Sequence, residues 1–213
     1  MRRRTLLLLI SMAAMVVLVA GVAWAATVQC QVGEEMCLGT SGADTITGTS
    51  EQDYIRALAG ADLARGMGED DQVIGGRGKD TVKGGGGTDL LVWGGEAGPT
   101  SDGPFTDASD DYAYGGAGPD NVYGGYAQGG VDHVYGEDGD DYIDTNQRGH
   151  VAEYGVVVTK EFINCGAGHD FVIFDLGKDE VSQNCEDRIA VEPGGAPPAM
   201  ATQTQGLGAN PFK

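Results

Sequence analysis

The sequence predicts an all-β protein: a parallel β-roll or β-helix solenoid of nine-residue repeats, stapled by disulfides at its ends. Three observations carry this. Asp44, Asp53, Asp62, Asp71, Asp80 and Asp89 recur at a strict nine-residue step. Around them runs the pattern Gly-Gly-x-Gly-x-Asp-x-U-x, with U apolar, complete over residues 75–83, 84–92 and 115–123. Cys30 and Cys37 precede this array, and Cys165 and Cys185 close it. A short fixed period implies a solenoid because no single repeat can bury its apolar face alone; each must stack on its neighbours.

The chain opens on an expected export signal, residues 1–25. Arg2, Arg3 and Arg4 form the basic region, Thr5 to Ala23 is almost wholly apolar, and Ala23-Trp24-Ala25 offers a cleavage site before Ala26. The apolar stretch is also long enough to span a bilayer, so an uncleaved anchor is the second reading. Either one places the rest of the chain outside the cytoplasm. An even cysteine count in an exported chain favours disulfides. Proximity pairs Cys30 with Cys37, inside a cap of residues 26–38, and Cys165 with Cys185. The latter two lie 20 residues apart, close to one 18-residue coil. Four cysteines allow three connectivities, and a zinc site is the alternative, although no CxxC occurs.

Residues 39–191 form the expected roll. Each repeat divides into a turn of six residues and a strand of three. Glycine supplies the positive φ and close backbone approach of the turn. The apolar residue two after each aspartate faces inward: Ile46, Ile55, Ala64, Val73, Val82 and Leu91. Two repeats make one coil. The period lapses in three places. An insertion near 96–106, with Pro99 and Pro104, reads as a surface loop. Tyr126-Ala127-Gln128 is a shorter insert, and a further insertion near 144–160 leaves the local register open. Beyond it, Glu161 and Asp179 stand nine residues either side of Asp170, and Asp187-Arg188-Ile189 reads as a last aspartate-x-apolar unit. Residues 192–213, rich in Pro, Gly, Gln and Ala without period, are expected to be disordered.

The formal charge is −19, and removing the three arginines at 2–4 leaves −22. Such a chain repels nucleic acid and anionic lipid and attracts cations. Aspartates 18 residues apart, Asp44, Asp62 and Asp80 on one edge and Asp53, Asp71 and Asp89 on the other, stack at strand spacing. They repel unless a cation lies between them. Carboxylates combined with turn carbonyls suit Ca²⁺ better than Mg²⁺, which holds its waters and demands a strict octahedron. The candidate ligands are Asp44, Asp53, Asp62, Asp71, Asp80, Asp89, Asp111, Asp120, Asp132, Asp141 and Asp170.

This pattern resembles the calcium-binding nonapeptide repeats of the RTX, or haemolysin, type over roughly residues 39–173. The resemblance implies a parallel β-roll with calcium between its turns, the repeat aspartates as ligands, and no enzymatic activity of its own. Two departures stand out. The signal here is N-terminal, and the repeats begin too near the cleavage site to leave room for a toxin, protease or lipase domain.

Rival chemistries lack their residues. There is no HExxH around His133, His150 or His169, no P-loop at Gly78-Lys79, and no G-x-S-x-G. Asp138-Gly139-Asp140-Asp141 lacks the glycine and glutamate of an EF-hand loop. The histidines are expected to face solvent beside the turns. Tyr112, Tyr114, Tyr123, Tyr135 and Tyr142 take outward positions, with Tyr114 and Tyr135 stacked. They read as a cross-strand ladder or, alternatively, as a platform for sugar rings. Ice binding would need unbroken Thr or Asn ranks, which Tyr54, Arg56, Leu63 and Arg65 interrupt. The sequence therefore predicts a secreted, non-enzymatic calcium-binding roll whose folding depends on calcium. The alternative is an adhesion module for a cell surface or extracellular polymer, with calcium as a structural ion.

Overall fold

The computed structural model describes residues 24–92, 109–124, 130–145 and 159–191. The expected signal up to residue 23, the inserts at 96–106 and 126–128, most of the 144–160 insertion including His150, and the tail from 192 lie outside the described residues.

Strands alternate between two parallel sheets. The first stacks β1 (Thr27–Gln29), β3 (Thr45–Thr47), β5 (Leu63–Arg65), β7 (Thr81–Gly86), β9 (Tyr112–Ala117), β11 (His133–Asp138), β13 (Phe162–Ala167) and β15 (Glu180–Val181). The second stacks β2 (Cys37–Leu38), β4 (Tyr54–Ala59), β6 (Gln72–Arg77), β8 (Leu90–Val92), β10 (Asn121–Tyr123), β12 (Tyr142–Asp144), β14 (Phe171–Asp175) and β16 (Asp187–Val191). One coil is thus one strand from each sheet with a turn at either edge, the arrangement that an 18-residue repeat of the pattern requires.

The alternation of the strands fixes the core. Ile46, Ile55, Ala64, Val73, Val82 and Leu91 are all buried, and Ala113, Val122, Val134, Ile143, Ile163 and Val172 continue the same inward column. A register slip of one residue would turn every one of them to solvent, so the apolar position holds the two sheets in phase.

The structure departs from the sequence reading at several points. Half a dozen strands run to six residues, because pairing continues into the turn, as at Gly85↔Gly116 and Gly86↔Ala117. Residues 26–38, expected as an N-terminal disulfide cap, contain β1 and β2, which pair with β3 and β4 as a first coil of the roll. The last unit is shifted by one. Asp187 pairs with Phe171, so Glu186, not Asp187, follows Asp170 in the carboxylate position. Arg188 then falls opposite Val172, and its guanidinium donates to Cys185 O and Ser182 O, closing the open end of the roll with hydrogen bonds instead of an apolar contact. The register past the 144–160 insertion is settled by His133↔Phe162, which puts Glu161 after Asp132.

Both disulfides form as proximity suggested. Cys30–Cys37 spans the first coil, with Cα atoms 5.5 Å apart. Cys165–Cys185 joins the last two coils at 5.2 Å. No cysteine is free, so a thiolate zinc site is ruled out.

Candidate metal centre

The nine-residue step puts the carboxylates in two columns, one per edge. The first edge carries Asp44, Asp62, Asp80, Asp111, Asp132, Glu161 and Asp179. The second carries Asp53, Asp71, Asp89, Asp120, Asp141, Asp170 and Glu186. All eleven candidate ligands are buried, none more than 5% exposed.

Sequence reasoning treated the stacked carboxylates as a purely repulsive column. The structure adds a directed bond. Each aspartate turns Oδ1 toward the backbone N–H of the aspartate one coil before it: Asp71 N–H to Asp89 Oδ1 at 2.8 Å, Asp89 to Asp120 at 2.8 Å, Asp120 to Asp141 at 2.9 Å and Asp141 to Asp170 at 2.9 Å. The first edge repeats this from Ala26 N–H on Asp44 through Asp44 on Asp62 and Asp62 on Asp80. The recurring aspartate thus bridges coils as well as carrying charge. The Asp-Asp pairs add a second, exposed bridge of the same kind: Asp70, Asp110 and Asp140 accept from Thr88, Val131 and His169 N–H.

One oxygen of each carboxylate is thereby spoken for. The other, Oδ2 of Asp62, Asp71, Asp89, Asp120, Asp141 and Asp170, is buried and makes no hydrogen bond. A buried carboxylate oxygen without a partner is costly and points to a missing cation or proton. Burial is the first cause that lifts these groups, and neighbouring carboxylates add to it. Asp71 is pushed up to about 7, Asp120 to about 8, and Asp62, Asp89 and Asp141 to about 6.

The first glycine of each turn shows what surrounds that oxygen. A Cβ on Gly84 would lie 2.1 Å from Asp89 Oδ2 and 2.5 Å from Gly115 O. On Gly66 it would lie 2.2 Å from Asp71 Oδ2 and 2.7 Å from Gly84 O. On Gly115 and Gly136 it would meet the oxygens of Asp120 and Asp141 with the carbonyls of Gly136 and Cys165. Glycine is required here because two oxygens converge in the space that a side chain would fill. Among the described residues no three His, Cys, Asp or Glu side chains gather at one point. A cation here would draw most of its ligands from backbone carbonyls, a hard all-oxygen set that suits Ca²⁺ and disfavours zinc.

The cradle is not uniform. Ala57 replaces the first glycine before Asp62, and Cys165 replaces it before Asp170; both side chains are buried. The uninterrupted run is Asp71, Asp89, Asp120 and Asp141 on the second edge. All three chain insertions leave the roll on the first edge, between β8 and β9, β10 and β11, and β12 and β13. At the far end of the first edge, burial pushes the Glu161 carboxyl well above the usual carboxylate range, aided by a hydrogen bond with Asp179.

The outward tyrosines form columns. Tyr114 and Tyr135 stack with centroids 4.8 Å apart, and Tyr112, His133 and Phe162 stack at 4.7 and 5.0 Å. On the other sheet Tyr142 stacks on Phe171. His133 thus lies within a ladder rather than beside a turn, whereas His169 is exposed as expected. Ring faces meet one another along the columns. Lys83 covers the end face of Tyr114, Lys79 that of Tyr112, and Lys160 that of Phe162. This geometry is that of a stabilising ladder; a sugar platform needs ring faces turned outward.

Comparison with known proteins agrees with the repeat reading. Residues 38–66, 65–95 and 105–143 match the family described as RTX calcium-binding nonapeptide repeat (4 copies). No curated protein matches the chain.

Proposed function

We propose that this chain, which matches the RTX calcium-binding nonapeptide repeat over residues 38–66, 65–95 and 105–143, is a secreted, non-enzymatic β-roll that folds on binding calcium. The observation that carries the reading is the row of buried, unbonded Oδ2 atoms facing turn carbonyls on the second edge. Asp71, Asp89, Asp120 and Asp141 fit the ion best, and Asp62, Asp80, Asp111, Asp132 and Asp170 complete the proposed set; the threonine turns before Asp44 and Asp53 set those two of the expected ligands apart. The ion would supply the positive charge that lets these carboxylates stay ionised while buried. Extracellular calcium modules bind with Kd of ~10⁻⁴–10⁻³ M. At ~1 mM calcium and Kd ~10⁻⁴ M, each site adds ~1.4 kcal/mol, and several sites together decide whether the roll forms.

Export is supported by the basic, apolar and small-residue order of the first 25 residues and by the disulfides. Among the described residues no helix is long and apolar enough to cross a membrane. Cleavage before Ala26 would leave a new ammonium where the Ala26 N–H now donates to Asp44 Oδ1 at 2.6 Å. The non-enzymatic reading rests on the repeat carboxylates being taken up as coil bridges among the described residues. Calcium titration followed by circular dichroism and calorimetry tests the proposal. β-sheet signal should rise steeply with calcium and little with magnesium; an unchanged spectrum with no binding heat would sink it.

A further inference from the structure

The turns of the roll come in two conformations, and the difference lies at their second residue. In seven described turns the second and fourth residues both have positive φ, for example Gly85 at 128° with Gly87 at 135°, and Met67 at 101° with Glu69 at 64°. The turns at 39–44 and 48–53 do neither. There the second residue is Thr40 or Thr49, and neither is among the positive-φ residues. With φ negative, the N–H swings onto the carboxylate that the other turns leave unbonded. Thr40 N–H and Thr49 N–H donate to Oδ2 of Asp44 and Asp53, each at 2.5 Å. The Thr40 hydroxyl adds a contact at 2.9 Å, and both hydroxyls accept from within the turn, from Gly42 and Glu51 N–H.

Asp44 therefore has both oxygens satisfied by protein, and Asp53 has its Oδ2 taken by Thr49 N–H. Oδ1 of Asp44 takes Ala26 N–H, and Oδ2 takes Thr40. Asp71, Asp89, Asp120 and Asp141 have one oxygen bonded and one bare. Cys30–Cys37 closes the first coil, and the second coil buries Ile46, Ile55 and Ala57. The first coil also carries Ala26 where later coils carry aspartate, so no buried carboxylate stacks on the outer side of Asp44.

Resting on the calcium reading above, we infer that Thr40 and Thr49 decide that Asp44 and Asp53 take no calcium. They thereby make the first two coils a metal-independent seed on which the calcium-bound coils assemble. Calcium then extends an existing sheet edge and does not have to nucleate the roll, which removes the entropic cost of a first coil from the metal's share.

Hydrogen exchange on the full oxidised chain, in calcium-free buffer and in excess calcium, tests this. Without calcium, amides of β3 and β4 should exchange at least ~10-fold slower than those of β9 to β12, and calcium should slow all of them. If the two groups exchange alike without calcium while calcium slows both, the seed does not exist. The Thr40→Gly/Thr49→Gly double variant frees both residues to take positive φ. It should lose the calcium-free protection of β3 and β4 and recover it in calcium, whereas Thr40→Ser/Thr49→Ser should retain it throughout. Protection that persists in the glycine variant would overturn the role given to the threonines. If no amide responds to calcium, the calcium reading itself fails, an outcome distinct from the other two.

Discussion

Protons should replace calcium. In the folded roll Asp120 is lifted to about 8, Asp71 to about 7, and Asp62, Asp89 and Asp141 to about 6, against 3.8 for an ordinary aspartate, with burial as the leading cause. A carboxyl whose folded pKa is raised favours folding while it is protonated. Its contribution is complete below about pH 4 and fades as the pH climbs through 6 to 8. Near pH 7 the metal-free fold holds roughly two more protons on these five groups than the open chain, and near pH 5.5 roughly four. The folding constant should therefore rise as the pH falls from 8 to 5, more steeply near pH 5.5 than near pH 7. Calcium-free protein, open beyond its first two coils at pH 8, should regain β-sheet signal by pH 5.5, and calcium added there should bind more weakly than at pH 8. Circular dichroism in metal-stripped buffers from pH 8 to 5, with disulfides intact, reads both effects. A calcium-free spectrum that stays open across this range, or a calcium midpoint that does not move, would refute the claim that buried charge is what keeps the metal-free roll apart.

Asp89→Asn should act with opposite signs in the two states. The amide oxygen still accepts from Asp71 N–H while the charge is gone, so the calcium-free fold gains and one site's ~1.4 kcal/mol of calcium stabilisation is lost, as paired titrations would show. Gly84→Ala tests space alone, because Gly84 lacks positive φ. Its methyl would overlap Asp89 Oδ2, costing ~1–3 kcal/mol in calcium and lowering the calorimetric stoichiometry. Met67→Gly should stabilise the calcium-bound roll by ~1 kcal/mol in denaturant melts, since a half-exposed side chain is held there at φ 101°. Removing Cys165–Cys185 by serine substitution should cost ~3 kcal/mol and speed amide exchange in β15 and β16 first.

How much of this could be read from the sequence follows from where the information lies. The aspartate step and the apolar residue two places on fixed both sheets and every inward residue from Ile46 to Leu91, because burial tolerates no slip in a period-two strand. The rung after Asp132 could be found by counting back from Asp170 to Glu161, since strand pairing resumes in phase after the insertion. Asp187 misled for a physical reason. Counting aspartates assumes that the last described coil also buries an apolar residue, but at the end of the described sheet that position holds Arg188, bonded to carbonyls, and the carboxylate moves to Glu186. His133 misled because spacing alone does not show that its neighbours in the adjacent coils are Tyr112 and Phe162.

The threonine turns were the most legible of the missed features. Gly-Thr-Ser stands at 39–41 and again at 48–50, nine residues apart, in place of the glycine pair. Read as damage, the replacement weakens two rungs. Read through the backbone, it is a second, self-consistent solution to the same problem. A glycine at the second position allows positive φ and leaves the carboxylate's outer oxygen to a cation. A β-branched residue disfavours that conformation, and the N–H that turns inward takes the cation's place. Leu58 and Glu137 show that the positive-φ turn can be forced on other residues at a cost, so the choice is graded rather than absolute. The ladder thus encodes, at one residue per turn, which coils stand on their own and which wait for the ion.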